Sequence, residues 1–197
     1  DISSAAFFMA AAAAIPGSSL VIEGVGINET RSGIIDVLKE MGAKIHIENI
    51  TNSGGEEVGD IHIEGEELKG VNITKEIVPR LIDEIPVIAI IASRAQGITT
   101  ITGAEELKVK ETNRISTMVS EMNKVGIEVK ELPDGMEIVG GGNIVGGTVE
   151  SHGDHRVAMA MAVCGLFAEE PIKVMGNECI DISFPNFEET LKSVCKY

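Results

Sequence analysis

Residues 32–47 read SGIIDVLKEMGAKIHI and residues 114–131 read RISTMVSEMNKVGIEVKE, with MGAKI and VGIEV lying 84 residues apart (Met41 to Val125). Ile35, Leu38 and Met41 fall on one helical face of the first stretch, and Ile115, Met118 and Met122 on one face of the second. A glycine follows each run, suited to the left-handed cap that ends a helix. Alternating strand residues come next. Each stretch therefore predicts an amphipathic helix, a cap and a strand, and DIHIEG at 60–65 and GMEIVG at 135–140 add a further strand to each.

Working outward, the repetition extends upstream. DISSAAFFMAAAA at 1–13, DEIPVIAIIASRA at 83–95 and GDHRVAMAMAVCGLFA at 153–168 each pass from an acidic or capping residue into a run of small apolar residues. Strand-like GSSLVIEGV at 17–25, GITTITGAE at 97–105 and IKVMGNEC at 172–179 follow them. The third copy ends at a helix, NFEETLKSV at 186–194, with no further strands. The chain thus reads as two nearly full βαβαβ-like units and a truncated third, over residues 1–82, 83–152 and 153–197, forming one domain over 1–197. The period of roughly 70–84 residues is too long for a short solenoid. Small-residue helices are expected inside and amphipathic helices over a sheet, with the missing strands supplied from elsewhere.

Composition narrows the function classes. Thirty-one acidic against 16 basic residues give a formal charge of −15, which argues against nucleic-acid and membrane partners. With five Phe, one Tyr and no Trp, the core must come from aliphatic residues and eight Met. Cys164, Cys179 and Cys195 have neither metal-motif nor disulfide-framework spacing, and buried thiols in a reducing cytosol are expected. Ala5–Ile15 lacks a basic leader and is too short to span a bilayer; Asp1 is expected to cap a buried helix there, and no targeting segment is visible.

Against this acidic background, KVKETNRIS at 108–116 gathers cations around Glu111 where a helix begins. Helix-start N–H groups favour an anion, and Lys110 and Arg114 reinforce that preference. An anionic ligand would raise the Glu111 pKa and make it a general acid, while Lys110 and Arg114 oppose the shift, so its sign stays open. The plain alternative is a solvated helix start with ordinary ion pairs. SHGDHRVAM at 151–159 again sets a basic side chain, Arg156, at a helix start behind Gly153. His152, Asp154 and His155 lack metal-ligand spacing, and a cap-and-anion role fits better. Asp83 is either a helix cap or a carboxylate facing a substrate hydroxyl.

DISSAAFFMAAAA, IDEIPVIAIIA, KETNR and GDHRVAMA, in this order, resemble the 5-enolpyruvylshikimate-3-phosphate synthases over essentially all 197 residues, as the distal half of such an enzyme. The resemblance implies an inside-out α/β barrel domain of the enolpyruvyl-transferase type, its repeated units set around a pseudo-threefold axis. It implies transfer of enolpyruvyl from phosphoenolpyruvate to the 5-hydroxyl of shikimate 3-phosphate in the cytoplasm, by a monomeric two-domain parent without metal or organic cofactor. The complementary amino-terminal half would be a partner, and this chain alone nearly inactive.

Carried over by position, the resemblance makes Asp83 a contact to the shikimate hydroxyls and a candidate base. Lys110 would lie by shikimate and the transferring group, Glu111 would protonate the phosphoenolpyruvate methylene, and Arg114 and Arg156 would hold its carboxylate. Three positions depart from the family pattern: Asn113 for aspartate, Glu106 for an asparagine, and Ile182 near a phosphate-binding lysine. Enolpyruvyl transfer to UDP-N-acetylglucosamine, or a non-catalytic module of the same fold, are the competing readings.

Overall fold

The structure, a computed structural model, describes residues 1–195; the last two positions of the expected third unit, 196 and 197, lie outside the described residues. Asp1 accepts the N–H groups of Ser3 and Ser4 at 3.2 and 3.0 Å and starts α1 (Ile2–Ala13). All its residues except Ser4 are buried, and a helix apolar all round is stable only inside a core. β1 (Ser19–Gly26), α2 (Gly33–Met41), β2 (Lys44–Ser53), β3 (Glu56–Glu64) and β4 (Asn72–Ile73) follow. Next come α3 (Ile85–Arg94), β5 (Ile98–Ile101), α4 (Arg114–Lys124), β6 (Val129–Leu132), β7 (Gly135–Val139) and β8 (Gly147–Glu150). The chain continues through α5 (His155–Cys164), β9 (Ile172–Met175), α6 (Ile180–Ser183) and α7 (Phe187–Val194).

Helices α1, α3 and α5 touch pairwise and form the centre. Their small residues let the axes approach: Ala10, Ala89 and Ala160 are all inaccessible to solvent. Every methionine except Met175 is buried, filling irregular gaps where aromatics are scarce. Phe7 and Phe187 meet edge to face at 5.7 Å and fasten α7 to α1.

Three sheets surround this centre. β3 lies between β1 and β2, antiparallel to both; β4, β5, β7 and β6 form a second sheet in that order; β8 pairs with β9. In the first sheet Ile45 opposes Ile63 and Ile47 opposes Ile61 on the inner face, whereas Lys44–Glu64, His46–His62 and Glu48–Asp60 oppose each other on the outer face. β4 joins β5 in parallel, and β8 joins β9 in parallel, each pairing with the strand beyond the next central helix. Among the described residues, β1 and β9 each have a strand neighbour on one side only.

The amphipathic helices fall where the periodicity places them. α2 buries Ile35, Leu38 and Met41 and ends at Gly42 (φ 113°); α4 buries Ile115, Met118 and Met122. Two close approaches need glycine. A Cβ on Gly65 would lie 1.9 Å from the Ile15 carbonyl oxygen, and one on Gly140 would lie 2.0 Å from that of Ala95. Each glycine thus lets the chain leaving a sheet cross the end of a central helix.

One open alternative is decided and one expectation is corrected. The helix assigned to 83–95 starts at Ile85, and Asp83 sits in a 3-10 turn, Ile82–Glu84, rather than at the cap. A cap at Asp83 would reach for the N–H of Ile85 or Pro86, and Pro86 has none. Of the three free cysteines only Cys164 is buried, its thiol pushed up to about 12 by burial, while Cys179 and Cys195 are half-buried. Ala5–Ala13 lies in the core, and no helix among the described residues is long and apolar enough to cross a membrane.

Candidate functional site

The N-termini of the three central helices converge. Ser3 in α1 donates its hydroxyl to Glu84 just before α3, and Arg156 in α5 donates to the Asp83 carbonyl at 3.3 Å. At the opposite end Arg94 of α3 lies 5.5 Å from the Phe167 ring centroid beyond α5, so these two helices run alongside each other. Gathered N-termini concentrate partial positive charge, a setting that favours anions, and Asp1 and Asp154 already cap two of them.

Around this point the five residues singled out from the sequence meet. The Asp83 carboxylate lies 3.3 Å from Arg114, 3.5 Å from Lys110, 3.6 Å from Arg31 and 4.0 Å from Arg156. Burial pulls its pKa up, but Arg156, Lys110, Arg114 and Arg31 outweigh burial together and hold it below the usual value. Its neighbour Glu84 goes the other way. Burial raises it against the opposing effects of Ser3, Arg156 and Arg31, and its Oε2 has no hydrogen-bond partner.

Arg114 is 1% exposed, so the cation expected at a solvated helix start is a buried hub. Its Nε donates to Asp154 Oδ2 at 2.7 Å, Nη1 to Asp83 at 3.3 Å, and Nη2 to Glu111. Asp154 is itself fully buried and caps α5 by accepting the N–H groups of Arg156 (2.9 Å) and Val157 (3.4 Å). One carboxylate thereby fixes both the start of α5 and the guanidinium of α4. Asn113 caps α4 by accepting the Ser116 N–H at 3.2 Å.

Glu111 stays half-exposed, its second oxygen 4.0 Å from His155 Nδ1. The His155 pKa is lowered by burial and then by Arg156. Lys110 bonds Glu106 at 3.0 Å, the main cause of its raised pKa. Glu106 therefore occupies an ammonium that an asparagine would leave freer. Ile182 projects from α6 at 88% exposure and contributes no polar group. A cleft of about 60 Å³ opens beside Arg156, lined in part by Ser3, Ser4, Phe7 and Met159.

Arg31, Glu84 and the anchoring role of Asp154 were not found from the sequence. A signal existed for Arg31: NETRSG at 28–33 precedes the first amphipathic helix much as KETNRI at 110–115 precedes the second. For Glu84, a second acid ahead of IPVIAIIA reads as part of a cap, and only the fold reveals its burial.

The family model for EPSP synthase (3-phosphoshikimate 1-carboxyvinyltransferase) matches residues 1–191. A 3-phosphoshikimate 1-carboxyvinyltransferase of Alkaliphilus metalliredigens (strain QYMF) is 70% identical over 196 residues, covering 100% of this chain and 46% of its own length. Its counterpart in Bacillus subtilis (strain 168) is 51% identical over 197 residues, again with 46% of its length covered. The solved EPSP synthase from Acinetobacter baumannii superposes with a TM-score of 0.95 at 45% identity, over 98% of this chain and 45% of that one. The enolpyruvyl transferase NikO from Streptomyces tendae shares the fold, with a TM-score of 0.76 at 17% identity over 98% of this chain and 42% of that one. The chain thus spans about half the length of the curated relatives it matches.

Proposed function

Because the chain belongs to the EPSP synthase family, we propose that it supplies one half of a cleft in which the enolpyruvyl group of phosphoenolpyruvate passes to the 5-hydroxyl of shikimate 3-phosphate. The observation carrying this reading is the meeting of Asp83, Lys110, Glu111, Arg114 and Arg156 at the joined N-termini of α1, α3 and α5.

The chemistry is an addition followed by an elimination, and none of its steps needs a metal or organic cofactor. Glu111 gives a proton to the methylene carbon of phosphoenolpyruvate, and the 5-hydroxyl oxygen adds to the neighbouring carbon, its proton passing to Asp83. The tetrahedral adduct then returns a methyl proton and expels phosphate, restoring the double bond. Asp83, kept ionised by its four cations, orients the hydroxyl and accepts its proton as the bond forms. Lys110, kept protonated, offsets charge on the adduct. Arg156 makes one long hydrogen bond, to the Asp83 carbonyl at 3.3 Å, and its carboxylate neighbours lie at 3.7 and 4.0 Å, so its planar donors can turn to take the ligand carboxylate as a fork. Arg114 joins it once Glu111 turns toward the substrate.

The reading also covers organisation. The cleft beside Arg156 is far too small for a phosphorylated ring, which fits a site completed by the complementary amino-terminal half of a monomeric, cytoplasmic two-domain parent. A groove of about 290 Å³ along β1, lined by Phe8, Leu20, Leu166, Leu191 and Val194 among others, suits strands from that half. Gly65 and Gly140, in matching places, support units over 1–82, 83–152 and 153–197 within one domain.

The test is phosphate release from the two substrates, with and without the complementary half. Activity only after mixing is the expected result. Turnover by this chain alone overturns the half-cleft reading; none from a folded, associated pair overturns the enzymatic one.

A further inference from the structure

The outer face of the first sheet carries a second constellation, unrelated to the helix N-termini. His46 on β2 and His62 on β3 are directly opposed in the antiparallel register, their ring centroids 4.5 Å apart and their planes within 18°. Glu48 lies two residues beyond His46 and so on the same face. Its Oε1 is 3.4 Å from His46 Nε2 and its Oε2 is 3.5 Å from His62 Nε2. One ligand atom from each residue lies within 4.8 Å of the other two.

We propose that His46, Glu48 and His62 form a surface site for a divalent transition-metal ion of the zinc class. The two carboxylate–imidazole spacings of 3.4 and 3.5 Å match the roughly 3.4 Å that tetrahedral geometry sets between ligand atoms at bonds of about 2.0–2.1 Å, and the stacked rings would turn out of their stack for both nitrogens to reach one ion. Two imidazoles and one carboxylate select zinc, nickel or copper over calcium and magnesium, which prefer all-oxygen shells. His46 and Glu48 are more than half exposed, leaving their side chains room to converge and water a place in the remaining coordination positions.

Neighbouring residues leave the site open to a cation. The Lys44 ammonium is drawn away to Glu66. Asp60, opposite Glu48, accepts from the Gly24 N–H at 2.9 Å and Asn49 Nδ2 at 2.8 Å. These bonds engage both of its oxygens, so its carboxylate lies beside the site without occupying it. The register shift after Glu48 and the positive φ of Asn49 (51°) turn the chain so that Asn49 reaches Asp60. A bound ion would bridge β2 and β3 and tighten a hairpin whose tip, residues 51–57, is exposed.

Calorimetric titration of the intact protein with zinc chloride, in a non-chelating buffer with the cysteines kept reduced, tests the site. One ion per chain is expected, with His46→Asn and His62→Asn each weakening binding at least 10-fold. Glu48→Gln, which keeps size and fold, should weaken it measurably, and His152→Asn, away from this face, should leave it unchanged. Cobalt in place of zinc should report nitrogen and oxygen ligands in its visible spectrum. Affinity unchanged in both histidine variants overturns the proposal, as does a sulfur-ligand cobalt spectrum. Half an ion per chain, the mark of a bridge between molecules, overturns it too.

Discussion

Arg114 holds a full charge at 1% exposure, and Asp154 is what makes that tolerable. Asp154→Ala should cost up to about 3–5 kcal/mol, the penalty for breaking a buried ion pair, eased by the Asp83 and Glu111 contacts that Arg114 keeps. Chemical denaturation would measure it, and the α5 cap would be lost with the same change. Glu111, half-exposed and adjacent, should behave differently: Glu111→Gln in the intact enzyme should lower turnover by about 10²–10⁴-fold. Substrate affinity should change little, and steady-state kinetics would separate the two effects. Asp83 and Glu84 form a natural pH experiment because neighbours push them in opposite directions. Asp83, depressed when folded, adds stability above its unfolded value of about 3.8 that is lost as pH falls through the folded one. Glu84, raised when folded, adds stability below about 4.5 that is lost as pH rises through its folded value. Glu84→Gln should therefore gain on the wild type as pH rises through that window, read from unfolding midpoints across pH. Lys110, Glu111, Arg114 and Arg156 could be picked out because KETNR and GDHR stand out in an acidic chain, and Asp83 because it leads the apolar run IPVIAIIA. The burial of Arg114 could not, since a cation at a helix start ordinarily points into water.

At the scale of elements, the helices were the readable part. Ile35, Leu38 and Met41 repeat at helical spacing, and the runs DISSAAFFMAAAA and IPVIAIIA are too apolar for any place but a core. Sheet order was not readable, because β4 is two residues long and finds β5 across the whole of α3. Asp83 read equally as a cap because an aspartate ahead of an apolar run ordinarily signals one, and the missing Pro86 N–H weakens that signal. Gly140 shows how tightly the elements meet. Gly140→Ala would push a methyl into the Ala95 carbonyl and should cost about 1–3 kcal/mol or more, the range for overpacking a core. A thermal melt would show the loss, while the exposed Gly142, with open space around its Cα, should accept alanine quietly.

For the whole molecule, the unfilled sides of β1 and β9 matter most. An unpaired strand edge is a template for another strand, and β1 adds Val21 at 46% exposure beside an apolar groove. The chain handled alone should therefore self-associate as its concentration rises, and Val21→Lys should suppress this. Sedimentation velocity would follow both, and the complementary half should abolish the association by occupying the edge. Which edges stay open depends on non-local strand pairing, which residue patterns do not encode.

The methionines give the molecule a built-in chemical clock. A thioether in the core is out of reach of peroxide, and sulfoxide formation there must wait for the protein to open. Met175, at 41% exposure on β9, would oxidise first and at a rate set by the reagent. The sulfurs of Met9 and Met161 in the central helices would follow only as fast as the core itself breathes. Mass spectrometry of peroxide-treated protein would then rank the local openings of this fold without any added label.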